Sequence, residues 1–188
     1  MNKVLYFDVE TTGLDPVKQD IIQIAGLIEI DNVVVEEFEF KVAPVNPENA
    51  TPEALDVHGY DLVTIMQFPP HSHVYNSLIE LFSKYIDKYN KADKFTPAGY
   101  NVRFDMDFLK NFFLKHNDKY FGSWFNYKMV DPLPVLHYAE WAQKISLENY
   151  KLVTVCERFG IELQAHDALS DIRATREVLL HLSNLFED

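Results

Sequence analysis

The sequence predicts a mixed α/β fold, and two observations carry that prediction. Strand-like runs joined by short turn signals come first. Helical periodicities then alternate with short strand-like runs to the end of the chain. No internal repeat, low-complexity stretch or linker interrupts the pattern, so residues 1–188 are read as one domain.

Lys3 to Val9 is apolar and β-preferring, as a buried strand requires. Thr11-Thr12-Gly13 then turns the chain. Asp20 to Ile30 is rich in Ile and reads as a second strand, and Asp31-Asn32 is a turn signal. Val33 to Val42 alternates apolar and acidic residues in its second half, which fits a half-exposed third strand. Short turns between these strands predict an antiparallel meander.

Thr51-Pro52 resembles a helix start, with Thr as cap and Pro at the first helical position, and Gly59 ends that short helix. From Ser72 an amphipathic helix places Val74, Leu78, Leu81, Phe82, Tyr85 and Ile86 on one side. Phe95 to Tyr100 reads as a short strand disturbed by Pro97. Phe104 to His116 is helical, and Lys128 to Asp131 reads as another short strand. Pro132 to Trp141 and Glu148 to Phe159 are helices, the latter ending at Gly160. The last helix is expected over Ala168 to Phe186, with Ala168, Ile172, Thr175, Leu179, Leu182 and Phe186 on one face.

Composition narrows the function classes. The chain is 47% hydrophobic and 24% charged, with a net charge of -12. So acidic a protein lacks the broad Lys/Arg footprint of a sequence-independent nucleic-acid binder. A small active-site contact made through metal ions stays open, as does a basic partner protein. Cys156 is the only cysteine, so no internal disulfide forms and a reducing, cytoplasmic location is expected. Met1-Asn2-Lys3-Val4 does not resemble a signal peptide, and Ile21 to Ile30 is too short to span a bilayer. No pattern fixes an oligomeric state.

Asp8 and Glu10 end the first strand. At that spacing their side chains share a face, where two unpaired carboxylates repel and lose hydration. A divalent cation removes both penalties. Alone, the pair is more readily the acidic end of a strand that meets solvent. Asp105 lies in the first turn of a helix, just after Asn101-Val102-Arg103-Phe104, where an acid also favours the helix terminus electrostatically. Asp167 is the natural N-cap of the last helix. Asp171 follows one turn later at the edge of the apolar face, and His166 precedes both. A His beside several carboxylates is a candidate general base.

Asp8 to Leu14, Asn101 to Asp105 and His166 to Asp171 together resemble the three exonuclease motifs of the DnaQ-like, or DEDDh, 3′→5′ exonucleases. The four acids and the histidine match in type, order and spacing. Asp20 to Ala25, Pro52 to Gly59 and Leu152 to Ile161 extend the resemblance over nearly the whole chain. The tyrosine branch of the superfamily would place Tyr where Asp167 stands, so the histidine branch fits better.

The resemblance implies a ribonuclease-H-like mixed sheet, meander plus parallel strands, flanked by helices. It implies two divalent cations, Mg²⁺ or Mn²⁺, since an all-carboxylate set suits hard cations and does not suit zinc. Asp8, Glu10 and Asp171 would hold the metals, with Asp105 acting through water. His166 would take the proton from the attacking water, and a nucleoside 5′-monophosphate would leave. The turn backbone at Thr11 and Thr12, with Leu14, would touch the 3′-terminal nucleotide, although Leu14 also suits core packing. Asn101 and His58 would line the pocket. Phe104 would pack under a base, or equally serve the core.

The resemblance thus implies a 3′→5′ exonuclease acting on single-stranded DNA or RNA ends. A proofreading-type DNA enzyme beside a polymerase partner is slightly favoured over free-standing trimming of RNA. The alternative is a catalytically silent nucleic-acid-binding or polymerase-interaction module on the same fold. It is disfavoured because no acid or histidine is missing. An unrelated metal-dependent phosphatase using the same acids is less favoured still.

Overall fold

A computed structural model describes residues 1–164 and 168–186. Its centre is a four-stranded sheet in the order β3-β2-β1-β4. β1 (Lys3–Thr11), β2 (Ile21–Ile30) and β3 (Val33–Lys41) form the expected antiparallel meander, and β4 (Thr96–Ala98) joins β1 in parallel. The helices are α1 (Pro52–His58), α2 (Leu62–Ile65), α3 (His71–Ser83), α4 (Val102–Lys115), α5 (Pro132–Trp141), α6 (Leu152–Phe159) and α7 (Ala168–Asn184).

Alternation along β1 divides the molecule into layers. Leu5, Phe7 and Val9 pack in one cluster with Val74, Leu78 and Phe82 of α3 and Phe108 and Phe112 of α4. Val4 and Tyr6 pack on the opposite face with Ala168 and Ile172 of α7. A further cluster joins α5, α6 and α7 through Leu136, Val155 and Val178. Two ion pairs tie α7 to the meander: Arg176 to Glu29 at 2.6 Å and Arg173 to Glu37 at 2.5 Å. The Arg176 pair is largely shielded from solvent, where an ion pair is screened least.

Several boundaries differ from the pattern reading. α2 was not expected; Asp61 caps it, its side chain accepting from the Thr64 N–H. α3 ends at Ser83, and Tyr85 and Ile86 follow in a turn where the Tyr85 N–H donates to the Phe82 carbonyl. Ile86 is still buried, so its apolar spacing reports the core and not the helix. Lys128 to Asp131 is not a strand. Val130 makes an isolated bridge to Ala98, and Pro132 starts α5 two residues later. α6 begins at Leu152 because Asn149 accepts from the Lys151 N–H and the Thr154 hydroxyl, holding a local turn. On α7, Ala174 and Val178 join the buried face, while Leu179 is half-buried and Phe186 lies past the helix end, exposed.

Candidate active site

β4 stops opposite Tyr6, so β1 runs on alone along that edge through Asp8 and Val9. The helix that follows β4 fills the gap. Oδ1 of Asp105, in the first turn of α4, accepts the Val9 N–H at 3.1 Å. A carboxylate from the α4 layer is thereby fixed beside the strand segment that carries Asp8 and Glu10. Asp8 and Glu10 alternate with Val9 and so share the face of Val4 and Tyr6, beneath α7.

Asp171 arrives from α7. It lies in the first turn, half-buried, and its carbonyl accepts the Thr175 hydroxyl at 2.8 Å. Asp8, Asp171 and Thr175 line one cavity of about 190 Å³ with Tyr6, Gly99 and Tyr100. Gly99 is required there: a Cβ would stand 2.8 Å from the Phe7 carbonyl oxygen.

The electrostatics follow from this convergence. Burial pushes the Asp8 carboxyl well above its ordinary range, and the charges of Asp105, Glu10 and Asp171 push it further. Asp105 is raised to about 8, chiefly by burial, with Glu10 and Asp131 adding to the shift against hydrogen bonds from backbone N–H groups. Among the described residues, no three Asp, Glu, His or Cys side chains close into a ready-made metal cage. The donor set nevertheless fits hard divalent cations. It is all oxygen, it is crowded with like charge, and positive charge would relieve that crowding.

The other expected residues fall into distinct roles. Thr11 donates its hydroxyl to the Gly13 carbonyl at 2.7 Å. Thr12 is fully buried, and its hydroxyl accepts the Asp20 N–H at 2.9 Å. The Thr12 backbone is also engaged, with Asp20 and Thr51. Both threonine side chains therefore shape the turn. Leu14 is 83% exposed at its tip, so it is not core. His58 ends α1, whose cap Thr51 is bonded to Thr12; its Nδ1 accepts the Tyr60 N–H at 3.1 Å. Asn101 is exposed in the left-handed region at φ 60°, and its side chain makes no cap bond to α4. Phe104 packs on Phe108, ring centres 4.9 Å apart, at the margin of the core. His166 and Asp167 lie outside the described residues.

Asp131 was not singled out from the sequence as a site residue. Its carboxylate accepts the N–H groups of Asn101 at 3.2 Å and Val102 at 3.1 Å, and it caps α5 through Leu133 at 3.0 Å. It thus anchors the N-terminus of α4, within about one turn of Asp105. Asp131 before a Pro-x-Pro helix start was the available signal.

Comparison with known proteins agrees with this architecture. A sequence model of the family described as exonuclease matches residues 5–179. A PolC-type DNA polymerase III of Pediococcus pentosaceus is 26% identical over 185 residues, covering 98% of this chain and 11% of the polymerase. An exonuclease I from Methylocaldum szegediense superposes with a TM-score of 0.78 at 20% identity, over 97% of this chain and 40% of that one. A zinc-bound complex of Escherichia coli exonuclease I with single-stranded DNA gives 0.77 at 21% identity, over 97% and 40%. The chain therefore spans about a tenth of the polymerase and two-fifths of the exonuclease I chains it matches. The latter likenesses show the shared ribonuclease-H-like fold.

Proposed function

The chain belongs to the exonuclease family, in its DnaQ-like, ribonuclease-H-like class, and from that premise we propose that it hydrolyses single-stranded nucleic acid from the 3′ end, releasing nucleoside 5′-monophosphates. The observation that carries the reading is the meeting of carboxylates from three elements, Asp8 and Glu10 on β1, Asp105 on α4 and Asp171 on α7, at one end of the sheet. DNA is the preferred substrate, since curated relatives are DNA polymerases. That kinship also supports work beside a polymerase partner, in the cytoplasm.

Asp8, Glu10 and Asp171 would hold two divalent cations, with Asp105 in support. When bound, such cations supply activation of the attacking water and charge stabilisation at the leaving 3′ oxygen. Magnesium or manganese suits the all-carboxylate set better than zinc. His166, next to α7 in sequence, is the general base that accepts the proton of the attacking water. Asp105 keeps the end of β1 in place through Val9, which fixes where Asp8 and Glu10 project. Exposed Leu14 and Asn101 meet the terminal nucleotide.

The test is a gel assay on matched 5′-labelled DNA and RNA oligonucleotides with Mg²⁺, Mn²⁺, Zn²⁺ or EDTA. The expected result is a ladder that shortens from the 3′ end, is abolished by EDTA and falls by orders of magnitude in Asp171→Ala and His166→Ala. A folded, metal-saturated Asp171→Ala protein with full turnover would sink the assignment. No shortening under any metal would favour the silent binding module.

A further inference from the structure

Five of the 17 Lys and Arg residues of this -12 protein line a single groove. The groove, of about 670 Å³, lies along the outer face of α4, between that helix and the segment 119–129. Lys91, Lys94, Arg103, Lys110 and Lys119 line it, opposed by a single carboxylate, Asp107. Arg103, Asp107 and Lys110 recur at helical spacing on the side of α4 away from buried Asp105 and Phe112.

Local partners leave much of that charge uncompensated. Asp107 pairs with Arg103 at 3.0 Å, and Lys94 donates to the Gly122 carbonyl at 2.5 Å. Among the described residues, no carboxylate forms an ion pair with Lys91, Lys110 or Lys119. Aromatic surface is interleaved with the charge: half-buried Phe121 lines the groove above core residue Phe125, and Tyr127 stands 87% exposed in its wall.

The sheet register gives the groove a direction. Phe95 bridges Phe125 and Ala98 bridges Val130, both in parallel, so this wall runs the same way as β4 and β1. Its Met129 and Arg103 end lies toward the carboxylate end of β1, and Lys91 and Lys94 lie at the far end. The two bridges lie three residues apart on the strand side, so between them the wall is about 10 Å long at ~3.3 Å per residue, room for on the order of three phosphates.

We propose that this groove carries the phosphate backbone of single-stranded nucleic acid whose 3′ end enters the carboxylate site, with Tyr127 offering a stacking face to a base. The proposal rests on the exonuclease reading for the position of the 3′ end. The binding itself rests on charge and aromatic surface alone. Base–aromatic stacking with cationic tracking of the backbone is how sequence-tolerant single-strand sites work.

The test uses the triple variant Lys91→Ala/Lys110→Ala/Lys119→Ala, whose exposed side chains the fold does not need. Affinity for a fluorescent 20-nucleotide single-stranded DNA is measured by anisotropy in EDTA across a salt series. The expected Kd rises on the order of 10- to 100-fold, and the slope of log K against log salt falls by about 2, as three lost phosphate contacts require. Tyr127→Ala should weaken binding several-fold with the slope unchanged. Hydrolysis of the p-nitrophenyl ester of thymidine 5′-monophosphate, too small to reach the groove, should be unchanged in the triple variant.

Unchanged Kd and salt slope would overturn the proposal. So would loss of poly-glutamate binding with oligonucleotide binding intact, which would assign the groove to an acidic peptide. A wild-type protein that hydrolyses neither substrate would refute the exonuclease reading, while the anisotropy series would still decide the groove.

Discussion

At the scale of single residues, the site stands out by what it does to stability. The Asp105 carboxyl, pushed to about 8 from an ordinary 3.8, favours its protonated form in the folded protein. The fold then binds more protons at this group than the unfolded chain, so without metal the stability Asp105 contributes is fully present below about pH 4 and is lost as pH rises from about 4 through 8. Asp105→Asn keeps an oxygen for the Val9 N–H and removes the charge. In EDTA at pH 8 it should raise stability by on the order of 1–3 kcal/mol, while lowering Mg²⁺-dependent turnover by at least tenfold. Thermal melts beside rate measurements check this. A variant that is less stable in EDTA at pH 8 would show the carboxylate to be structural. Asp8 and Glu10 interrupt an apolar run in the sequence, and Asp105 and Asp171 were singled out with them because the three motifs together resemble those of the DnaQ-like exonucleases. Asp131 was not, because an acid before proline is an ordinary helix start, and only the fold shows it holding two helix termini.

Among the elements, α3 and α4 meet through two histidines that apolar periodicity could not reveal. Nδ1 of buried His71 lies 2.5 Å from Nε2 of His116, and both rings stack into the aromatic layer with Phe112 and Tyr75. Burial, then the neighbouring His116, pushes His71 down to about 4, with Asp20 opposing and Lys115 adding to the shift. The unfolded chain takes up this proton near pH 6.5 and the fold resists it. The stability from neutral His71 is therefore present above pH 6.5 and lost as pH falls toward 4, by up to about 1.4 kcal/mol per unit. Urea midpoints should drop more between pH 7 and 5 in the wild type than in His71→Leu, and equal drops would discount the pair.

Asp131 gives a prediction at the same scale. Asp131→Ala removes acceptors from two helix starts, which should cost about 1–2 kcal/mol. Because α4 carries Asp105, turnover should fall more than KM rises, and Asp131→Asn, which keeps an acceptor, should recover part of both. The pattern reading found β1, β2, β3, α4 and α5 because each carries a long period or an unambiguous cap. It misplaced the start of α6 and the end of α3, where local side-chain bonds decide the backbone and leave no period to read.

For the whole molecule, the carboxylates join parts that the core keeps separate. Val9 and Phe108 belong to the α3–α4 layer, Tyr6 and Ile172 to the α7 layer, and the two layers meet across the open end of β1. Without cations the acids there repel, and the first turns of α4 and α7 carry that repulsion. Binding of Mg²⁺ or Mn²⁺ to the folded form alone stabilises it by RT ln(1 + [L]/Kd), about 2.7 kcal/mol at a hundredfold excess over Kd. That stabilisation should be local first. In hydrogen exchange, added Mn²⁺ should slow the amides at the end of β1 and in the first turns of α4 and α7 together. It should leave the outer strand β3, whose Val33, Val34 and Val35 face solvent, unchanged. Asp171→Asn should abolish the coupled protection on all three elements, because each holds only part of the donor set. Protection confined to β1 would mean that the cations bind Asp8 and Glu10 without engaging the helices, and a site bridging the two layers would then be wrong.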